Sequence, residues 1–461
     1  MPEAKPDAAV QRLAATEVAA ALRRAGHRAL FAGGCVRDLL LGRTPKDFDV
    51  ATDARPEQVR RLFRRCVEVG IAFGVMRVRQ RVGEGRDAPD VEIEVATFRA
   101  DGAYSDGRRP DSVTFTDART DAERRDFTVN GMFLDPESGE VIDYVGGRAD
   151  LAAGLLRAIG DPEKRFDEDR LRMLRAVRFA TVLGFSLDPG TASAVRRRSA
   201  EIIAVSGERI RDELSKVLAH RQRLAGLRLA WRLGLLGHIL PETHREYTPH
   251  RPPAPSDADS DLPPGLAAAV AALPPDAPWT VTLAVLLKGG PETFADAAAA
   301  DLGDLKARAA AKADVAAAVC ERLATTKAER TLVDALVRRQ WDLDGAGAMD
   351  LAAKKRLFAR PEFPALATLY PARTAEFPRP ATAPAAEAAL ALWRSLTPEQ
   401  IRPAPLLSGN DLIALGVKPG PQLGRIIEAV YDGQLRGELT DREGALAAAR
   451  GMIGAGLTPP S

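Results

Sequence analysis

Cysteine is scarce in this chain. There are three, Cys35, Cys66 and Cys320, and an odd number at such wide spacings argues against a disulfide framework and against a zinc site. Histidine is scarce as well. The five are scattered along 461 residues, which reads as structural or surface use rather than a ligand set. No apolar run is long enough to cross a bilayer, and charged residues make up 28% of the chain, so a membrane protein is not expected. The opening MPEAKPDAAVQRL has no apolar core followed by a cleavage site, so a secretory signal is not expected either. Together these absences predict a cytoplasmic protein in a reducing compartment. Net charge is also small. With 65 basic and 63 acidic side chains the balance is +2, so overall charge does not advertise nucleic-acid binding.

The distribution of charge says more than the sum. Arginines cluster in RRLFRR (60–65), RLRMLRAVR (170–178) and VRRRS (195–199), which allows a basic face on a near-neutral protein or merely solvated helix faces. The length suggests about three domains. Residues 10–25 have the pattern of an amphipathic helix, and HRALFAGG (27–34) that of a strand entering a glycine turn. VRDLLLG predicts a short helix, DFDVA a strand, and RPEQVRRLF a helix with Pro56 in its first turn. FGVMRVRQRV and VEIEVATFR read as strands around a GEGRDAP turn, with SVTFT and GEVIDYV as further strands. After about Leu151 strand signals vanish, and alanine, leucine and arginine recur at helical spacing. Proline-rich stretches at 245–265 and 376–384 read as loops or linkers.

The stretch GGCVRDLLLGRTPKDFDVATD (33–53) carries the chemistry. On a strand, residues i and i+2 share a face, so Asp47 and Asp49 project together while Phe48 and Val50 turn toward a core. Two adjacent carboxylates repel unless a cation lies between them, and oxygen ligands suit magnesium. Upstream, Gly33 and Gly34 let backbone N–H groups approach an anion, with Arg37 one turn into the following helix. An anion cradle beside metal carboxylates reads as a metal-bound triphosphate site; the alternative is a surface turn with a chance D-x-D.

This stretch resembles the signature of the nucleotidyltransferase superfamily that includes polymerase beta. More narrowly it is similar to the class II, bacterial-type tRNA nucleotidyltransferases and the related poly(A) polymerases, and most like the CCA-adding members. RRDFTVNGMF (124–133), DYVGGRADL (143–151), EDRLRMLRAVRFATVLGF (168–185) and GERIRDELSKVL (207–218) resemble that family's later motifs, in order. The resemblance implies an α+β fold: a polymerase-beta-like head with a mixed sheet and helices, followed by an all-helical neck, body and tail. The implied divisions are 1–155 for the catalytic head, 156–222 for a nucleotide-recognising neck, 223–385 for an RNA-binding body and 386–461 for a tRNA-binding tail.

The resemblance also assigns roles. Asp47 and Asp49 are the catalytic residues and hold the metal, Mg2+. Gly33, Gly34, Arg37 and Arg125 hold the triphosphate, and Asp126 and Asn130 face the ribose. Glu94 is a candidate third carboxylate or an ordinary exposed strand residue, and is left out of the metal set. Asp169 and Arg172, at i and i+3, form an acceptor–donor pair. Cytosine and adenine each present an amino donor beside an unprotonated ring nitrogen, so the pair accepts C and A and rejects U and G. Its alternative is a surface salt bridge. Arg175 and Arg178 continue the same face toward phosphates or the base.

The implied activity is template-independent addition of CCA to the tRNA 3′ end from CTP and ATP. The alternatives are a CC-only or A-only specialist, a poly(A) polymerase, and an inactive RNA-binding homologue. The basic, His-containing stretch that often marks bacterial poly(A) polymerases is not apparent. Two departures stand out. Gly131 replaces a usual alanine and is expected to loosen a helix start. At 288–289, Lys-Gly stands where some homologues carry the His-Asp of a phosphohydrolase, so no such site is expected. In the tail, GVKPGP with Lys418 and Arg425 reads either as a grip on RNA phosphates or as a plain helical hairpin. Oligomeric state is not readable.

Overall fold

The computed structural model describes residues 7–70, 74–83, 88–104, 110–249 and 261–454. The expected GEGRDAP turn lies mostly outside these residues, as does the middle of the 245–265 stretch. The chain forms two compact units, one built mainly from residues up to Ile239 and the other from Leu240 onward.

The first unit is organised on a seven-stranded sheet. Helix α1 (Ala8–Arg24) starts at Asp7, whose carboxylate accepts the Ala9 N–H. It buries Ala14, Ala15, Val18, Ala19 and Leu22, an apolar stripe at helical spacing. There follow β1 (Ala29–Ala32), α2 (Gly34–Leu40), β2 (Asp49–Thr52), α3 (Pro56–Leu62), β3 (Cys66–Gly70), β4 (Val75–Arg81) and β5 (Asp90–Thr97). Next come β6 (Arg99–Asp101), β7 (Val113–Phe115), α4 (Ala118–Glu123), β8 (Phe133–Leu134), β9 (Val141–Ile142) and α5 (Gly147–Ala153). The sheet order is β3-β4-β5-β2-β1-β8-β9, and β2 and β5 run parallel where the other neighbours are antiparallel. Period-2 alternation separates two cores. Phe31, Val50, Ile93 and Val95 pack with α1 on one face, whereas Leu30, Ala32 and Ala51 pack with Ala118 and Ala122 of α4 on the other.

The rest of this unit is helical: α6 (Pro162–Glu168), α7 (Leu171–Leu183), α8 (Pro189–Arg198), α9 (Gly207–Leu218), α10 (Arg223–Arg232) and α11 (Leu235–Ile239). The expectation that strands end by Leu151 needs one correction. Strands β10 (Leu155–Leu156) and β11 (Ser186–Leu187) form a short parallel pair flanking α6 and α7. Residues 154–159 are hydrogen-bonded on both sides. Arg157 O accepts from Thr128 N at 3.0 Å and Ile159 N donates to Asp126 O at 3.2 Å, while Ser186 N and Asp188 N donate to Gly154 O and Leu156 O at 2.9 Å each. Two residues per strand are too few to leave a period in the sequence. Strand β3 also escaped the sequence reading; Val67 and Val69 on this edge strand are exposed, so no buried face marks it.

In the second unit no strand forms among the described residues, and helices run from Pro241–Tyr247 to Arg442–Gly454. Helix Trp279–Leu287 ends at Lys288, which is fully buried and ion-paired with Glu376; the Tyr247 hydroxyl donates to the same carboxylate at 2.7 Å. Near the chain end, helices Gly409–Ala414 and Pro421–Arg436 flank the GVKPGP turn and share a core of Leu412, Ile426 and Val430. Lys418 and Arg425 are exposed there.

Candidate active site

Register places the carboxylates. Strand β2 begins at Asp49, opposite Ala32 of β1, and Val50 lies opposite Val95 of β5. Phe48 and Val50 are buried against α1, so Asp47 and Asp49 turn to the other face, as the i, i+2 spacing predicts. Asp47 itself lies just before the strand and is exposed, a small correction to the strand reading. In the parallel pair, Glu94 precedes Val95 as Asp49 precedes Val50, so Glu94 shares the face of Asp49. The Arg77 guanidinium, opposite Glu94 on β4, is 3.6 Å from its carboxylate.

This face is electrostatically strained. Burial, then the charges of Glu94 and Asp47, push the Asp49 carboxyl up to about 6, and only Arg125 works against them. A divalent cation relieves that repulsion, so the donor set fits a metal. Among the described residues no three acidic, histidine or cysteine side chains converge into a closed metal cage. Cys35 lies beside this site, its thiol pushed up to about 11 by burial and donating to Ala32 O.

The glycine turn behaves differently at its two positions. Gly33 has φ of 73°, a left-handed conformation natural to glycine, and precedes the seven-residue α2. A Cβ there would sit 3.2 Å from Nη1 of Arg125, so the glycine makes room for that guanidinium. Gly34 has ordinary helical geometry, and a Cβ would make only normal contact with Arg37. Arg125 is held by Asp121, whose carboxylate accepts from Nη2 at 2.9 Å, while Nη1 donates to Asn130 O at 3.3 Å. Asp121 is 1% exposed and also binds Arg124; both arginines hold it below the usual carboxylate range against its burial.

From Arg37 a chain of bonds runs across the unit. Arg37 Nη1 donates to Asn130 Oδ1 at 2.6 Å, Asn130 Nδ2 donates to Asp126 Oδ1 at 3.1 Å, and Asp126 Oδ2 accepts two bonds from Arg175 at 2.6 and 3.0 Å. Asp126 Oδ1 also accepts the Phe127 N–H, so its acceptor capacity is filled. Although burial opposes it, Arg175 and Asn130 draw this carboxyl down to about 2. Arg178 pairs with Glu213 of α9 and lies over the Phe179 ring, 3.7 Å from its centroid.

Asp169 is not inside helix α7, contrary to the i, i+3 expectation. It caps α6 with extended backbone (φ −149°, ψ 105°), and α7 begins two residues later. Its Oδ1 accepts the Leu171 N–H at 3.0 Å, and both oxygens are gripped by Arg209 of α9. Arg172 pairs with Glu168 and donates to Arg124 O at 3.3 Å and Arg165 O at 3.2 Å. The structure therefore gathers Arg37, Arg125, Asp126, Asn130, Arg172, Arg175 and Arg178 into a network braced by Asp121 and Glu213, while Arg209 holds Asp169; the sequence reading did not single out Asp121, Arg209 or Glu213. The i, i+4 pairs Asp121–Arg125 and Arg209–Glu213 are the sequence signal that pointed to them. Members of the other arginine clusters are ion-paired as well, with Arg65 on Asp90 and Arg198 on Asp167 and Glu201.

Gly131 corrects another expectation. It ends the short turn Thr128–Asn130, where a Cβ would come within 2.7 Å of the Val145 side chain. The glycine there permits close packing under the turn that presents Asn130, rather than loosening a helix.

Known proteins resemble this chain in sequence and in fold. Residues 29–157 match the Poly A polymerase head domain and residues 184–247 the "Probable RNA and SrmB- binding site of polymerase A". A CCA-adding enzyme of Lactiplantibacillus plantarum is 43% identical over 215 residues, which is 46% of this chain and 51% of that protein. The chain thus spans about half the length of the curated relatives it matches. Among solved structures, the Bacillus stearothermophilus CCA-adding enzyme in complex with CTP covers 96% of this chain and 98% of its own, with TM-score 0.68 and 26% identity. The Thermotoga maritima CCA-adding enzyme complexed with tRNA_CCA covers 97% of each chain, with TM-score 0.62 and 19% identity. The fold is therefore α+β, a mixed-sheet head followed by helical modules. Residues 29–157 and 184–247 thus resemble the head and RNA-binding modules of the poly(A) polymerases, and much of this first unit is similar in sequence to CCA-adding enzymes, a group of nucleotidyltransferases.

Proposed function

We propose that this protein is a template-independent nucleotidyltransferase that adds C, C and A to the 3′ end of tRNA from CTP and ATP, releasing pyrophosphate. The observation that carries the reading is one strained sheet face, Asp47, Asp49 and Glu94, beside a set of arginines locked in place on the same unit. Asp47 and Asp49 would hold a magnesium ion, which would supply charge neutralisation for the attacking 3′-hydroxyl and the leaving pyrophosphate. Arg37 and Arg125 present positive charge for the triphosphate, and the turn at Gly33 and Gly34 admits it. Asn130, with one N–H and one lone pair still available, faces the ribose. Asp126 acts there by aiming Asn130, because its own oxygens are occupied. Asp169 and Arg172 read the base edge, with Arg175 and Arg178 behind them.

The division into head (1–155), neck (156–222), body (223–385) and tail (386–461) belongs to this proposal. So do a cytoplasmic location and the holding of the tRNA acceptor and T arms by the helical half through shape and backbone contacts. No helix among the described residues is long and apolar enough to cross a membrane.

The test is direct. The protein, with magnesium, is given tRNAs ending before CCA, after the first C, or after CC, and each labelled nucleotide singly and together. Addition of C and A that stops at CCA is expected. Long A tails reassign the protein as a poly(A) polymerase, C alone or A alone makes it a specialist, and no transfer makes it an RNA-binding homologue.

A further inference from the structure

Helix α9 sits behind the base-reading residues and supplies two charged side chains one turn apart, Arg209 and Glu213. Glu213 is 6% exposed and receives Arg178, Arg175 and Lys216. Arg209 grips Asp169 fork to fork, Nη1 to Oδ1 at 3.2 Å and Nη2 to Oδ2 at 2.7 Å. Asp169 lies on the two-residue joint between α6 and α7, where its backbone is extended although its N–H donates to Arg165 O at 3.3 Å and its C=O accepts from Arg172 N at 3.0 Å. Its carboxylate is oriented by α9 and by the Leu171 N–H.

Acceptor arithmetic gives this grip a consequence. A carboxylate offers about four lone-pair positions. Oδ1 takes Leu171 N and Arg209 Nη1, and Oδ2 takes Arg209 Nη2, so one acceptor position remains, on Oδ2. Resting on the proposed base-reading role of Asp169, we infer that Arg209 is a specificity-determining positioning residue: it aims that remaining lone pair so that the site accepts the single amino donor of cytosine or adenine. Without Arg209 the carboxylate is free to rotate and to present more than one acceptor, and the fixed geometry that a uracil or guanine carbonyl cannot satisfy is lost. A lysine keeps the charge but not the two-pronged hold.

The experiment measures kcat/KM for CTP against UTP on tRNA lacking CCA, and for ATP against GTP on tRNA ending in CC. The variants are Arg209→Ala, Arg209→Lys, Asp169→Ala and the double variant Asp169→Ala with Arg209→Ala, each checked for folding by thermal unfolding. Arg209→Ala is expected to lower both ratios about 10- to 100-fold, the scale of a misplaced reacting partner. Arg209→Lys recovers only part, and Arg209→Ala adds nothing once Asp169 is alanine. A purely structural role slows all four nucleotides alike and leaves the ratios unmoved. Ratios within twofold of the unaltered protein in Arg209→Ala, alongside lost discrimination in Asp169→Ala, overturn the inference alone, as do losses that multiply in the double variant. Discrimination kept in Asp169→Ala overturns the base-reading role and the inference with it. Should Arg209→Ala fail to fold, Arg209→Lys and Arg209→Gln carry the same ratio test.

Discussion

Asp49 and Asp126 are both carboxylates sunk into the first unit, yet their surroundings drive them apart. Asp49 faces Glu94 and Asp47 and is pushed up to about 6; Asp126 faces Arg175 and Asn130 and is drawn down to about 2. At neutral pH the first is a net cost, at most about 3 kcal/mol, and the second contributes about 2 kcal/mol. The difference separates two ways of building a site. One region keeps a charge imbalance that only a ligand relieves. The other satisfies every charge internally and so holds its geometry before any ligand arrives.

Substitution at Asp49 breaks the comparison most sharply. Asp49→Asn is expected to cut nucleotidyl transfer by about a thousandfold, the rate equivalent of losing several kcal/mol of charge stabilisation. The same change should raise thermal stability without metal, because the repulsion disappears, and abolish the stabilisation that added magnesium gives the unaltered protein. Thermal unfolding with and without the metal reads both. Lower stability in Asp49→Asn would contradict the strained-face description.

Asp126→Ala should move the other way. It strands Arg175 and frees Asn130, and equilibrium denaturation is expected to show a loss of about 3 kcal/mol, the lower end for a broken buried pair because Glu213 remains 3.8 Å from Arg175.

Titration sharpens the contrast further. The folded pKa of Asp126 is depressed, so its contribution is present above the unfolded value near 4 and is lost as pH falls toward 2. That of Asp49 is raised, so its cost is absent below about 4 and grows as pH rises through about 6. Denaturant unfolding of the metal-free protein from pH 2 to 8 should show both slopes, the first missing in Asp126→Asn and the second in Asp49→Asn. The smallest effect concerns packing beneath the paired region. Gly131→Ala inserts a methyl against Val145 and is expected to cost about 1–2 kcal/mol by chemical denaturation, with a weaker apparent affinity for nucleotide because Asn130 is displaced.

The legible part of this molecule is the local part. The two-residue spacing of Asp47 and Asp49 and the buried alternation of Phe48 and Val50 determine which way the carboxylates point, and a sequence displays that directly. Helix α1 and strands β1, β2, β4 and β5 follow from period and turn chemistry. What stayed hidden depends on partners far along the chain. Arg209 meets Asp169 across 40 residues, and Arg175 meets Asp126 across 49. Nothing within either motif says that the carboxylate it carries is already occupied. Asp169 misled for a related reason. EDRLRML reads as one continuous helical run, but the chain breaks there so that a carboxylate can stand at a joint. Gly131 looked like a weakness because its need lies in Val145 and Ile159, which only tertiary contact reveals.

The short pairing of β10 with β11 has a mechanical meaning. The strip 154–159 is stitched on one side to the backbone of Asp126–Thr128 and on the other to residues 186–188, just past the end of α7. Turn and helix are thereby riveted to a common strip, so the segment that presents Asn130 and the helix that carries Arg175 travel as one body. The Asn130–Asp126–Arg175 chain of bonds is thereby braced from the backbone as well as from its side chains.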